Sequence, residues 1–230
     1  GFGEMANLGK PAKFALGAHF RIGRLEPVEA LHSKDGSIKY RFVLEDGRSI
    51  ESVLMEHADH HTVCVSSQVG CAMGCDFCQT AKMGLVRNLT PGEIVMQVLA
   101  ARCDLPDGGN LRNIVFMGMG EPLYNFESVR DAMKVVMDGE GLSLSRRRIT
   151  LSTSGVVPEI ARTAEEIGCL LAVSFHATTD EVRDKLVPIN RRWNIATLLD
   201  ALRDYPRLSN SERITFEYVM LDGVNDSDED

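Results

Sequence analysis

The amino-acid sequence predicts an α/β fold built on a parallel sheet, and two observations support this prediction. Short apolar runs typical of buried strands alternate with helical patterns over most of the chain, and a hairpin signal precedes them. Such alternation implies parallel strands joined by helical crossovers. An α/β barrel and a doubly wound sheet are both consistent with this alternation, and both folds place functional residues at the carboxyl ends of the strands.

The first elements belong to an N-terminal extension. Residues 1–30 show a short helical pattern that breaks at Pro27, which is typical of the end of a helical domain. Residues 31–60 contain a β-hairpin, because the strand-like stretches 38–44 and 49–55 flank the turn signal Asp46-Gly47. The third expected unit, residues 61–230, carries the alternating strands and helices.

In that unit, Thr90-Pro91-Gly92-Glu93 combines an N-cap, a proline in the first turn and a capping-box glutamate, so a helix begins there. The other predicted strands are 114–117, 149–153, 170–175 and 214–221, and the other predicted helices begin at Asn125, Pro158, Thr179 and Asn194.

Composition indicates a soluble, cytoplasmic protein with one sizeable core. The chain has 230 residues, of which 44% are hydrophobic, and it shows neither a membrane-spanning run nor a signal-peptide pattern. We therefore expect no membrane partner, and we expect a monomer. The net charge of −8 argues mildly against indiscriminate nucleic-acid binding, although arginines cluster at 146–148 and 191–192, and acidic residues at 222–230.

Four of the six cysteines lie between Cys64 and Cys78. In a reducing compartment such clustered thiols are metal ligands or catalytic groups more often than disulfides. Cys71, Cys75 and Cys78 are spaced C-x3-C-x2-C, one ligand short of a structural zinc site, which a histidine from 57–61 would have to complete. Three thiolates on a cubane cluster would instead leave one iron open for a small molecule.

The aromatic Phe77 directly before Cys78 completes a C-x3-C-x-aromatic-C motif after the first strand of the series. This motif resembles that of the radical S-adenosylmethionine (SAM) superfamily. The resemblance implies a partial (βα)6 barrel in which Cys71, Cys75 and Cys78 hold a 4Fe-4S cluster and SAM chelates the open iron. The run 118–121, Gly-Met-Gly-Glu, is similar to the glycine-rich SAM motif of that superfamily.

Longer stretches of the sequence resemble one particular family within this superfamily. CVSSQVGC, FMGMGEPLYN, RRITLSTSGVVP, VSFHA and PIN resemble, in this order, segments of the RlmN/Cfr family of RNA adenosine methyltransferases. The resemblance implies methylation of adenosine in 23S rRNA at the peptidyl-transferase centre and in tRNA next to the anticodon, with flavodoxin or ferredoxin as electron donor. Pro122 favours members that methylate carbon 2. A carbon-8 methyltransferase, another radical SAM enzyme and a non-catalytic zinc module stay as alternatives.

The family's mechanism assigns residues by position. A SAM-derived radical takes hydrogen from a methyl group carried by a C-terminal cysteine, and the resulting methylene radical adds to the adenine ring. Cys64 matches the second cysteine, which releases the adduct through a transient disulfide, and Glu51 matches the proton acceptor. The residues that match SAM contacts are Gly120, Glu121, Ser152, Ser174, Phe175 and His176, with Asn190 a weaker candidate.

The sequence does not begin with Met, and it stops at Asp230, upstream of where the family carries the methyl-bearing cysteine. We therefore expect a fragment lacking both ends. Such a fragment would bind the cluster and SAM without completing methyl transfer. Cys103 and Cys169 match no motif, and we expect core packing or placement at a helix terminus for both.

Overall fold

The computed structural model describes residues 2–20, 23, 25–107, 109–206 and 213–227. The strands are β1 (Pro27–His32), β2 (Ile38–Val43), β3 (Ser49–Glu56), β4 (His61–Cys64), β5 (Gln68–Gly70), β6 (Leu85–Asn88), β7 (Leu111–Phe116), β8 (Ile149–Thr153), β9 (Leu170–Ser174) and β10 (Thr215–Glu217). The helices are α1 (Lys10–His19), α2 (Pro91–Cys103), α3 (Phe126–Met137), α4 (Val157–Glu166), α5 (Asp180–Leu186) and α6 (Ile195–Arg203).

The main sheet has eight strands in the order β1-β2-β3-β4-β7-β8-β9-β10. Strands β1 to β4 pair antiparallel, whereas β4, β7, β8, β9 and β10 pair parallel. The parallel strands lie side by side in chain order, as in the wall of a partial barrel, which confirms the predicted α/β class. A separate two-stranded ribbon, β5-β6, follows β4.

The predicted hairpin is strands β2 and β3, and its turn has the expected chemistry. Gly47 has φ +79°, and the Leu44 N–H donates to the Arg48 carbonyl oxygen at 2.7 Å. The sequence did not predict β1, which pairs with β2 and lies across the expected domain boundary at residue 30. Because β3 pairs with β4, the hairpin continues directly into the parallel strands. The domain boundaries themselves stay predictions.

Helix starts agree with the sequence signals where these signals are local. Thr90 Oγ1 accepts from the Glu93 N–H and the Glu93 carboxylate accepts from the Thr90 N–H, which is the predicted capping box. Asn194 caps α6 by accepting from the Thr197 N–H. Asn125 occupies the N-cap position of α3, where the helix was predicted to begin, but its side chain makes no cap hydrogen bond and donates instead to the Ser67 and Leu89 carbonyls. Strand β10 is shorter than predicted and ends at Glu217.

The two faces of the parallel strands differ in polarity. On one face Val63, Ile114, Leu151 and Val173 are fully buried in the main hydrophobic core. The other face carries a row of polar side chains, namely Thr62, Cys64, Ser152, Ser174 and Glu217. Since side chains alternate along a strand, this row is the inner surface of the partial barrel. None of the helices within the described ranges has the length and apolar character of a membrane span.

Candidate functional site

A cavity of about 180 Å³ lies where the parallel strands end. Its walls contain most of the residues that the sequence predicted for the site: Cys71, Cys75, Cys78, Gly120, Glu121, Ser152 and Ser174. The predicted meeting of strand-end loops at one edge of the sheet is therefore observed. Glu51, Cys64, Phe175 and His176 do not line this cavity.

The three loop cysteines are free thiols, two of them buried and Cys78 half-buried. Two backbone hydrogen bonds fix their loop: the Cys71 N–H donates to Gly84 O at 3.0 Å, and the Asp76 N–H donates to Leu186 O at 3.1 Å. Burial raises the pKa of Cys75 to about 11, while the Ser154 hydroxyl, 3.9 Å from its sulfur, lowers it slightly. Burial raises the pKa of Cys71 as well, so these two thiols lose their protons when they bind a metal group.

The donor set fits an iron–sulfur cluster better than a single zinc ion. In the part of the chain that the structure describes, no three His, Cys, Asp or Glu side chains converge on one ion position. The histidines that zinc would require lie at the wrong end of β4, because His57 and His60 stack in the loop before this strand, whereas the cysteine loop follows it. A cubane cluster binds its three thiolates at separate irons.

Glycines are required at positions 118 and 120 by the close approach of two loops. A Cβ atom at Gly118 would lie 2.7 Å from Val65 O and 2.8 Å from Val65 C. At Gly120, φ is +99° and a Cβ would lie 2.5 Å from the Cβ of Gln68. The loop after β7 therefore packs backbone to backbone on the loop after β4.

The segment Ser66 to Gln68, which carried no predicted role, provides the hydrogen bonds of this contact. Ser66 Oγ donates to Glu51 O at 2.6 Å and accepts from the Met119 N–H at 2.9 Å. Met119 O accepts from the Ser67 and Gln68 N–H groups at 2.8 and 3.1 Å, and Gln68 Oε1 accepts from the Glu121 N–H at 2.9 Å. The sequence indicated these residues only as part of the stretch CVSSQVGC, with no role of their own.

Glu121 is buried, and its two carboxylate oxygens accept from separate backbone groups. Oε2 accepts from the Ser154 N–H at 2.8 Å and Oε1 from the Leu123 N–H at 3.1 Å. Burial raises the pKa of this carboxyl, and the two N–H donors partly offset that rise. The remaining lone pairs of the carboxylate are suited to accept from an ammonium group in the cavity.

Sequence reasoning missed Glu217, which also lines the cavity. Its Oε2 accepts from the hydroxyls of Ser152 at 3.2 Å and Ser174 at 3.3 Å, the two serines predicted for SAM. The strand was predicted to extend to residue 221, so Glu217 was expected in the middle of a strand. With the strand ending at position 217, Glu217 is a carboxylate at the carboxyl end of a parallel strand, where functional residues are expected.

His176 lies behind the cavity rather than in its wall. It is only 3% exposed, has φ +60°, and its ring meets that of the cavity residue Phe77 edge to face at 4.5 Å. Its Nδ1 accepts from the Val219 N–H at 3.0 Å, and burial lowers the pKa of the ring to about 4. The imidazole is thus neutral at pH 7, with its proton on Nε2. Phe175 packs against Phe216.

Cys64 and Glu51 lie on the inner sheet face, outside the cavity wall. Cys64 pairs in register with Val53 of β3, and Glu51 lies two residues from Val53 on the same face. Burial raises the pKa of Cys64 to about 11, and the charge of Glu217 adds to the rise. Glu51 Oε1 forms an ion pair with Lys39 Nζ at 3.0 Å.

The other two cysteines differ in environment. Cys169 is fully buried in the core, whereas Cys103 is exposed at the end of α2. The expectation of core packing fits Cys169, and the expectation of a helix terminus fits Cys103.

Comparison with known proteins adds a family and several relatives. The family model of the radical SAM superfamily matches residues 65–230. Proteins named dual-specificity RNA methyltransferase RlmN from Dinoroseobacter shibae and Paracoccus denitrificans are 66% and 64% identical over 100% of this chain. The chain spans 61% of the length of these curated relatives. The chain is also similar to the crystal structure of a radical SAM methyltransferase from Sphaerobacter thermophilus, with 48% sequence identity and a TM-score of 0.91. The match covers 99% of this chain and 67% of the Sphaerobacter chain.

Replacement of Gly118 by alanine should lower the free energy of unfolding by about 2–3 kcal/mol, because the new methyl group meets backbone atoms that cannot rotate away. Gly139→Ala is the matched control, since no atom lies within 4 Å of its added Cβ. Chemical denaturation of both variants measures the difference. Equal stabilities would show that the two loops do not touch as described.

Cys64 should react with iodoacetamide at least about tenfold more slowly than the exposed Cys103 at pH 7.5, because burial leaves little thiolate. Its rate should rise steeply between pH 9 and 11, as the thiolate fraction grows towards the raised pKa. Peptide mass spectrometry after timed alkylation measures both rates, with Cys64→Ala identifying the slow site. Equal rates at pH 7.5 would contradict the burial of this thiol.

Proposed function

The chain belongs to the radical SAM superfamily, and from this membership and the cavity we propose that it is the core of an RNA methyltransferase acting on carbon 2 of adenosine. The observation that carries the proposal is the meeting of three free thiols with the Gly120-Glu121 loop and two strand-end serines in one cavity. The proposed substrates are 23S rRNA and tRNA, as the printed names of the relatives suggest. The chain spans only 61% of the length of these relatives, so the activity of the whole protein is itself part of what we propose.

Membership implies a 4Fe-4S cluster and SAM. Cys71, Cys75 and Cys78 would hold the cluster, and the cavity wall formed by Glu121, Ser152 and Ser174 would hold SAM. Together these groups supply a one-electron cleavage of a carbon–sulfur bond, which yields a radical able to activate a C–H bond. The electron would come from a low-potential donor such as flavodoxin or ferredoxin.

The chain's own residues prepare this site in two ways. The loop thiols must lose their protons to bind iron, so the raised pKa of Cys75 makes cluster binding release protons. The Glu121 carboxylate, fixed by the N–H groups of Ser154 and Leu123, offers a preorganised acceptor to an amino group. Gly120 has no side chain, so a ligand can approach the backbone there.

We assign the later steps to Cys64 and Glu51. A thiol resolves a covalent adduct only as a thiolate, and the raised pKa of Cys64 keeps it protonated and unreactive until a base approaches. Glu51 lies on the same sheet face and is the proposed acceptor of the ring proton. The methyl-cysteine and disulfide steps need a second cysteine, which the family resemblance places beyond residue 230.

A surface groove suits RNA. A groove of about 510 Å³ lies beside the cavity, and its walls include Tyr124, Arg192 and Trp193. The Arg192 guanidinium lies 4.5 Å above the Trp193 ring, and Tyr124 is 38% exposed. Aromatic and guanidinium planes stack on unpaired bases. The cavity and the groove are adjacent along the chain, because Glu121 lines the cavity and Leu123, two residues later, lines the groove.

Anaerobic reconstitution tests the chemistry. We expect about four irons and four sulfides per chain, and reductant-dependent conversion of SAM to 5′-deoxyadenosine and methionine. Cys71→Ala, Cys75→Ala and Cys78→Ala should each abolish this conversion, whereas Cys103→Ala should retain it. Bound zinc without sulfide would overturn the proposal in favour of a zinc module.

The methyl-transfer step is tested on RNA with the full-length protein that the gene encodes. Mass spectrometry of nucleosides from 23S rRNA and tRNA should show 2-methyladenosine. A product methylated at carbon 8 would instead identify the alternative regiochemistry. SAM cleavage with no methylated RNA would indicate a radical SAM enzyme with another substrate.

The groove makes a separate prediction. Trp193→Ala should weaken binding of single-stranded RNA by about 1–3 kcal/mol per stacked base, whereas Trp193→Phe should stay near wild type. Fluorescence anisotropy at fixed salt measures the affinity, and thermal unfolding checks that both variants are folded. Equal affinities of the two variants would exclude base stacking on Trp193.

A further inference from the structure

Arg183 on α5 is the most buried charge in the part of the chain that the structure describes, with no exposed surface. Its guanidinium donates four hydrogen bonds: to Phe175 O at 3.0 Å, Asn190 Oδ1 at 2.9 Å, Ser154 O at 2.9 Å and Ser174 O at 3.0 Å. All four acceptors are neutral. Within the described ranges Arg183 forms no ion pair.

The nearby carboxylates are engaged elsewhere. Asp180 Oδ1 and Asp184 Oδ1 accept from Asn190 Nδ2 at 2.9 and 2.7 Å, and Asp180 also accepts from the Ile195 N–H. Burial lowers the pKa of Arg183 to about 10, so it remains a cation at pH 7. A buried cation without an anion in contact is costly, and such a charge is usually balanced.

Arg183 is linked to the cysteine loop through residues that it binds. Arg183 binds the carbonyls of Ser154 and Ser174, and both residues line the cavity. The Ser154 hydroxyl lies 3.9 Å from Cys75 Sγ, and the Asp76 N–H bonds to Leu186 of α5. Arg183 is therefore joined to the cysteine loop through Ser154, whose carbonyl oxygen it binds and whose hydroxyl faces Cys75.

We propose that Arg183 is a positioning residue that supplies the countercharge for the occupied cysteine loop and favours reduction of the cluster bound there. The inference rests on the proposed function. Three thiolates and a 2+ core give a net charge of −1, and one electron from an external donor changes it to −2. A fixed cation therefore stabilises the reduced form more than the oxidised form. Its four hydrogen bonds also hold the ends of β8 and β9 against α5 and Asn190.

The test is the midpoint potential of the reconstituted chain without SAM, from a redox titration followed by electron paramagnetic resonance. Arg183→Gln should lower the equilibrium constant for reduction about tenfold, which is about 59 mV for a one-electron couple. Arg183→Lys, which keeps the charge, should stay within about threefold of wild type. Arg203→Gln, at an exposed arginine on α6, is the control and should match wild type.

Asp184→Asn provides a variant that keeps Arg183, in case Arg183→Gln does not fold. The asparagine can still accept from Asn190, and removal of the negative charge should raise the equilibrium constant for reduction about two- to threefold. A wild-type potential in Arg183→Gln, an equal fall in Arg183→Lys, or a potential in Asp184→Asn at or below wild type would overturn the inference. Wild-type protein without iron and sulfide would instead overturn the proposed function.

Discussion

The close contact between the loop after β4 and the loop after β7 is the constraint on which the rest of the site depends. Gly118 leaves room for Val65, and Ser66 and Gln68 bind the backbone of the facing loop. This contact brings the cysteine loop, which follows one strand, beside Glu121, which follows the next. A side chain at either glycine would separate the loops, so the small residues are required by geometry before any ligand is considered.

Burial controls the charges of the site. Burial keeps the Cys75 thiol protonated, whereas Arg183 stays charged although it is fully buried. Glu121 is also buried and depends on two backbone N–H donors. Without a ligand the site therefore holds a cation and a carboxyl group at a cost in folding stability. Binding a group that carries negative charge, and a ligand that offers an ammonium, would reduce that cost.

Sequence patterns predicted those features whose interactions are local. The capping box of Thr90 and Glu93 and the Asp46-Gly47 turn each depend on residues within four positions, and both are confirmed. The features missed by sequence depend on partners far along the chain. Glu217 receives its hydrogen bond from Ser152 across 65 residues, and the side chain of Asn125 reaches Ser67 across 58 residues instead of capping its own helix. Spacing within the motif predicted the three thiols of the cavity, but not the arginine behind them.

We propose that the three cysteines leave one metal position open towards Glu121 and the strand-end serines. Electron–nuclear double resonance on the reduced, reconstituted chain tests this most directly, using SAM labelled with ¹⁵N in its amino group. We expect a hyperfine coupling between this nitrogen and the cluster, because the amino group would bind at the open position. A cluster signal that does not change when labelled SAM is added would contradict it.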